Sequence, residues 1–149
     1  MLLNELETPV NDKPKMTFNV QARRIDAHGS LARCKEADIT LDTDLAGRPD
    51  AFNPAELLMA ALAACMIKGI ERVTPILKFD LRGVEVRLYG VRQDVPPKME
   101  LIDYEILVDT DESDHRLDLL HDNVKKYGTV YNTVAPGTRL NGVLKRTAS

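Results

Sequence analysis

The sequence predicts an α+β fold, and three observations carry that prediction. Strand-like segments with alternating apolar and polar residues stand on both sides of one long apolar stretch, NPAELLMAALAACMIKGIERV, from Asn53 to Val73. The order reads as three strands, a helix, two strands, a helix and a last strand. A doubly wound parallel sheet would need stricter alternation of strand and helix, so an α+β arrangement fits better. The chain has 149 residues, enough for one domain that buries roughly 70% of its unfolded surface without staples.

The elements follow in order. Residues 1–15 read as a polar arm, and 16–149 as a single domain. In MTFNVQARRID, Met16, Phe18 and Val20 alternate with polar residues, which is strand patterning. The turn Ala27-His28-Gly29 follows. SLARCKEADITLDTD then reads as a second and a third strand, with Cys34 on the more polar face beside Ala32, Glu36 and Asp38. DLAGRPDAFNP is a loop, punctuated by Gly47, Pro49 and Pro54.

The long helix starts at Pro54, a residue suited to the first helical position, with Asn53 as its N-cap. It is expected to run to about Arg72, with Pro75 stopping it. Its charges, Glu56, Lys68, Glu71 and Arg72, sit toward the ends. A helix apolar on nearly all faces must be covered on all sides. So small a chain has few elements to do that, which predicts a second subunit. FDLRGVEVRLYGVRQD and MELIDYEILVD read as neighbouring antiparallel strands. SDHRLDLLHDNVKKYG reads as a helix capped by Ser113, with Gly128 as the left-handed residue past its end. A turn from Tyr131 to Pro136 leads to a last strand in TRLNGVLK.

Composition narrows the function. The net charge is −3 and there is no basic patch with interleaved aromatics, so nucleic acid is not indicated. The longest apolar run, Leu57 to Ile67, is eleven residues, too short to span a bilayer. The N-terminus lacks the apolar core of a signal peptide, which predicts a cytoplasmic protein with reduced thiols. There is no Gly-rich phosphate loop, metal-ligand spacing or cofactor motif.

The chemistry-bearing candidates are therefore the cysteines. Cys65 lies in the long helix, and two readings stand open. Cysteine is a frequent small filler of buried helices, and it is also a nucleophile where a cationic neighbour lowers its pKa. Local sequence offers only Lys68 as a cation. Glu56 lies nine residues before Cys65, about 13 Å along the axis, too far for direct contact. His28, His115 and His121 are scattered, and none is placed beside a cysteine by the sequence.

Asn53, Pro54, Glu56, Leu57, Leu58, Ala61, Leu62, Ala64 and Cys65 resemble the signature helix of the OsmC/Ohr family, a pattern like N-P-x-E-L-L-x-x-A-L-x-A-C. Supporting likeness extends over roughly residues 16 to 146, in DLAG, FDLRGVEVRLYGVRQD and LLHDNVKKYGTVYNTVAPGTRLNGVL. The resemblance implies an intertwined homodimer, with antiparallel sheets wrapped around long central helices. It also implies a thiol-dependent peroxidase for organic hydroperoxides. A helix cysteine, here Cys65, is oxidised to a sulfenic acid, and a second cysteine resolves it as a disulfide that a dithiol reduces. Glu56 matches the glutamate of the broader OsmC-like subgroup, and Arg24, or Arg23 beside it, falls where the family arginine belongs. Two departures are plain: Gly128 stands at the resolving position, and Ala55 where hydroperoxide reductases carry glutamate. A one-cysteine enzyme served by an external thiol is one reading of these departures. Resolution by Cys34 is another. The alternative of a different class is a non-catalytic homodimer binding a small apolar molecule.

Overall fold

The computed structural model describes residues 13–147, so the expected arm lies, up to residue 12, outside the described residues. The chain divides into two compact units, the first ending at Ala51 and the second starting at Phe52.

The first unit is a three-stranded antiparallel sheet of β1 (Gln21–Asp26), β2 (Gly29–Cys34) and β3 (Ala37–Leu41), in that order. Its β1–β2 turn is held by Asp26, whose carboxylate accepts the backbone N–H groups of His28 and Gly29 at 2.8 and 3.1 Å. The following loop is organised by Asp42, which is buried. Its two carboxylate oxygens accept the N–H groups of Asp44 and Arg48, each at 3.1 Å, and Gly47 supplies the positive φ of 82° that the loop needs.

Two expectations change here. β1 starts at Gln21, not Met16, because residues 13–20 pair with no strand of the chain. β2 ends at Cys34, with Lys35 turning the chain at φ 56°. Cys34 therefore pairs with Ala37 and shares the face of buried Ala32, while Asp38 pairs with Arg33. The thiol's face is the more covered one.

The second unit contains α1 (Pro54–Leu77), β4 (Gly83–Gln93), β5 (Lys98–Asp109), α2 (Asp114–Tyr127), a short α3 (Thr129–Val134) and β6 (Arg139–Arg146). β5 lies central, antiparallel to β4 as expected and parallel to β6. On its inward face Ile102, Tyr104, Ile106 and Val108 meet Leu62, Met66, Ile70 and Val73 of α1 and Leu117, Leu120 and Val124 of α2 in one core. Fully burying each aliphatic side chain contributes about 1.5–3 kcal/mol, so this cluster dominates the unit's stability.

Helix α1 begins as expected, with a full capping box. Asn53 accepts the Glu56 N–H at 2.8 Å and Glu56 accepts the Asn53 N–H at 3.0 Å. It ends later than expected, because Pro75 lies inside its last turn. Proline deletes one backbone donor, yet the end is secured otherwise. Lys78 takes the left-handed conformation at φ 50°, its N–H reaching Pro75 O and that of Phe79 reaching Thr74 O, a Schellman-type closure. The guanidinium of Arg116 donates to Leu77 O and lies over the Phe79 ring at 5.8 Å. Leu58, Ala61 and Ala64 stay exposed on α1 while Leu62, Met66 and Ile70 are buried, so the described part of the second unit covers one side of the apolar helix. Among the described residues, no helix is long and apolar enough to cross a membrane.

Candidate functional site

Cys65 is half-buried on α1, and its surroundings follow from how α1 meets α2. Gly69, one turn beyond Cys65, marks where the helices meet. A Cβ there would stand 3.8 Å from both the Cα and a methyl of Val124. One turn along each helix from that crossing, Cys65 faces Gly128. The pairs 65/69 and 124/128 are both i, i+4 pairs, each lying on one helix face. A Cβ on Gly128 would sit 3.1 Å from Cys65 Sγ, 3.0 Å from the Tyr131 Cβ and 2.8 Å from Val124 O.

Gly128 itself is extended, with φ −77° and ψ 115°, where the sequence suggested a left-handed residue ending α2. The glycine serves close approach, not a special φ. The segment expected as a turn after it is α3, closed by the Asn132 N–H on Gly128 O and the Ala135 N–H on Tyr131 O, both at 2.9 Å.

The other anticipated residues are each placed within their own unit. Glu56 is exposed, its carboxylate engaged in the capping box. Arg24 lies on β1 in the first unit, opposite buried Ser30, and Arg23 lies on the other face opposite Leu31. Lys68 is exposed on α1. Arg72 stacks over the Tyr127 ring at 5.2 Å. His28 hydrogen-bonds Asp44 through Nδ1 at 2.7 Å, and that bond holds its pKa above the ordinary histidine value. Ala55 is half-buried in the first turn of α1.

One polar group escaped the sequence reading. Tyr104 O–H meets Nε2 of His121 at 2.7 Å, with the rings edge to face at 5.7 Å. The Tyr131 ring stands edge-on to Tyr104 on the other side, at 6.4 Å. Burial first, then Tyr131, pushes the Tyr104 hydroxyl far above its ordinary range, so it stays protonated. Burial first, then the charge of Lys125, holds His121 below its ordinary value. The signal was available: a tyrosine on the buried face of β5 needs a hydrogen-bond partner. Gly142 makes room for it, since a Cβ at 142 would collide with the Tyr104 ring.

Among the described residues, no group of three or more His, Cys, Asp or Glu side chains could hold a metal ion. A shallow cavity of about 420 Å³ lies over the outer face of the second sheet, between Tyr89 and Val143, and Cys65 does not line it.

An α+β unit whose central helix carries a half-buried thiol against the start of a short C-terminal helix defines the class. The chain belongs to the OsmC-like protein family, whose model matches residues 47–141. It is similar in fold to an OsmC-like protein from Mycoplasma pneumoniae, with TM-score 0.82 and 19% identity over 91% of this chain and 100% of that one. An organic hydroperoxide resistance protein OsmC from Legionella pneumophila matches with TM-score 0.67 and 17% identity, over 89% of this chain and 99% of that one. The organic hydroperoxide resistance protein OhrB of Bacillus subtilis matches with TM-score 0.61 and 18% identity, over 87% and 98%. No curated protein sequence matches the chain significantly.

Proposed function

We propose that the protein is a thiol-dependent peroxidase for organic hydroperoxides, of one-cysteine type, working as a homodimer through Cys65. The observation that carries this reading is the contact of Cys65 Sγ with the position of Gly128, the two residues onto which the resemblance maps the peroxidatic and resolving thiols. Two solved structures of similar fold are of organic hydroperoxide resistance proteins, which supports a redox role in stress defence.

In the proposed step the Cys65 thiolate attacks the outer peroxide oxygen. An S–O bond forms, the O–O bond breaks, and the alkoxide leaves as an alcohol after taking a proton. With glycine at 128 no neighbouring thiol there can condense with the sulfenic acid. An external thiol does so, releasing water, and a second thiol frees Cys65 while the two external sulfurs leave as a disulfide. Arg24 keeps the role that the resemblance gives the family arginine, holding the thiolate and orienting the peroxide. Glu56, too far from Cys65 along its own helix, keeps the carboxylate role that the resemblance gives it by reaching the thiol of the second subunit.

The dimer is supported by unspent apolar surface: in the first unit Met16 and Phe18 are 82% and 72% exposed, and in the second Leu58, Ala61 and Ala64 of α1 are exposed. Analytical ultracentrifugation tests it, a monomer at micromolar concentration being the contrary result.

The decisive assay follows consumption of cumene hydroperoxide with excess dithiol. Turnover is expected from the native protein and none above background from Cys65→Ser. Equal rates would sink the peroxidase and leave the alternative, a non-catalytic dimer that binds a small apolar molecule. Arg24→Ala is expected to slow the reaction at least about tenfold, through loss of a cation that favours the thiolate.

A further inference from the structure

We propose that Tyr104, His121 and Tyr131 form a proton-sensitive positioning network that sets how firmly the Gly128–Val134 segment is held against Cys65. The inference rests on the reading of Cys65 as the working thiol for its consequence, but not for its test.

Tyr131 is the mechanical link. Its Cβ stands 3.0 Å from where a Cβ of Gly128 would be, and its ring abuts Tyr104. Tyr104 is fixed on β5, its ring seated over Gly142, and its hydroxyl is bound to His121 of α2. Two elements that flank the 128–134 segment, β5 and α2, thus meet at one hydroxyl, and Tyr131 sets the segment against the Tyr104 ring. The other bonds of α3 are local: Thr133 Oγ1 donates to Thr129 O and Asn132 Nδ2 to Lys126 O. They shape the helix but do not tie it to the sheet.

The direction of the central bond depends on one proton. In the neutral ring with its proton on Nδ1, His121 Nε2 accepts from the Tyr104 O–H. Protonating His121 places an N–H on Nε2. Tyr104 must then accept from the imidazolium and turn its own O–H toward Tyr131. The charged ring must also remain half-buried. The groups that face His121 are Tyr104 from β5, with Tyr131 beyond it on α3, and Asp118, Asp122 and Lys125 from its own helix. The aspartates favour the charged ring, but burial and Lys125 outweigh them.

The sign follows from a folded pKa below the unfolded value. The network's contribution is complete above the unfolded histidine pKa, about 6.5, and is lost as pH falls toward the lower folded pKa. Acid therefore loosens α3 over Cys65.

Amide hydrogen exchange tests this without any assay of turnover. Protection of the Asn132 and Ala135 amides, corrected for intrinsic exchange, is expected to fall severalfold from about pH 7.5 to about pH 5, the direction set by the lowered folded-state pKa of His121. In His121→Gln, which hydrogen-bonds but does not titrate, the ratio between the two pH values is expected to be near one. Tyr104→Phe is expected to lower protection at both. In a Cys34→Ser background, iodoacetamide labelling of Cys65, corrected for its thiolate fraction, is expected to follow the same pH trend, and to lose it in His121→Gln. A native protein with no pH effect on these amides would overturn the proposal, as would a His121→Gln protein with the native pH effect. Either result leaves the peroxidase reading untouched, and an inactive enzyme leaves this network untouched.

Discussion

The two units are held by different forces. From Phe52 onward the chain owns a complete apolar core in which Leu62, Met66, Ile70, Ile102 and Ile106 are wholly buried. Among the described residues, the core cluster is built from the second unit's own side chains. In the first unit, β1 is exposed along its whole length, and the buried side chains are Ser30, Ala32 and Asp42. A three-stranded sheet gains independent stability from an apolar face packed on something. In the first unit, turn chemistry and buried carboxylate bonds therefore determine the local structure. In the second, hydrophobic burial does.

Substitutions separate the two regimes. Leu62→Ala is expected to lower unfolding free energy by about 3 kcal/mol, from lost transfer energy and the cavity left behind, whereas Ile25→Ala costs a few tenths. Chemical denaturation reads both, and similar losses would erase the contrast. Gly142→Ala should cost about 1–3 kcal/mol, because the added methyl meets the Tyr104 ring. A melting temperature equal to the native one would show that the ring yields freely. In the first unit the sensitive side chain is polar. Asp42→Ala strands two backbone donors and should cost about 1–3 kcal/mol locally, read as faster exchange of the Asp44 and Arg48 amides. Asn53→Ala removes the cap of α1 at about 1 kcal/mol. Asp38→Asn breaks an exposed ion pair with Arg33 and should cost under about 0.5 kcal/mol.

The same division explains what the sequence disclosed. The start of α1 was legible because Asn53, Pro54 and Glu56 are local signals that the structure uses as such. Its end was not, because a distant Arg116 and a left-handed Lys78 secure a turn that Pro75 weakens. Met16, Phe18 and Val20 alternate like a strand, but alternation says nothing of a missing ladder partner. Helix α3 was hidden by its β-branched residues, Thr129, Val130, Thr133 and Val134, which favour strands.

For the candidate site, Cys65 was readable from its helix. Gly128 was placed beside it by family resemblance, since spacing along the chain carries no such information. The Gly69–Val124 crossing is the physical reason they meet. The Tyr104–His121 bond depends on strand register against a helix, which no local pattern encodes.

The claim at the centre of this account is that Cys65 is a peroxide-reactive thiol with residue 128 at its resolving position. Gly128→Cys tests both halves at once. The spacing of 3.1 Å from a Cβ at 128 to Cys65 Sγ is close to the about 3 Å that disulfide geometry sets between a Cβ and the far sulfur. The 2.8 Å approach to Val124 O is a backbone contact, so the backbone at 128 must move to admit the side chain. After limiting cumene hydroperoxide, mass spectrometry of the native protein should show a dimedone-trapped sulfenic acid at Cys65. The variant should show instead a disulfide linking residue 65 to the introduced thiol at 128. A Cys65 left unoxidised in both proteins would contradict the account.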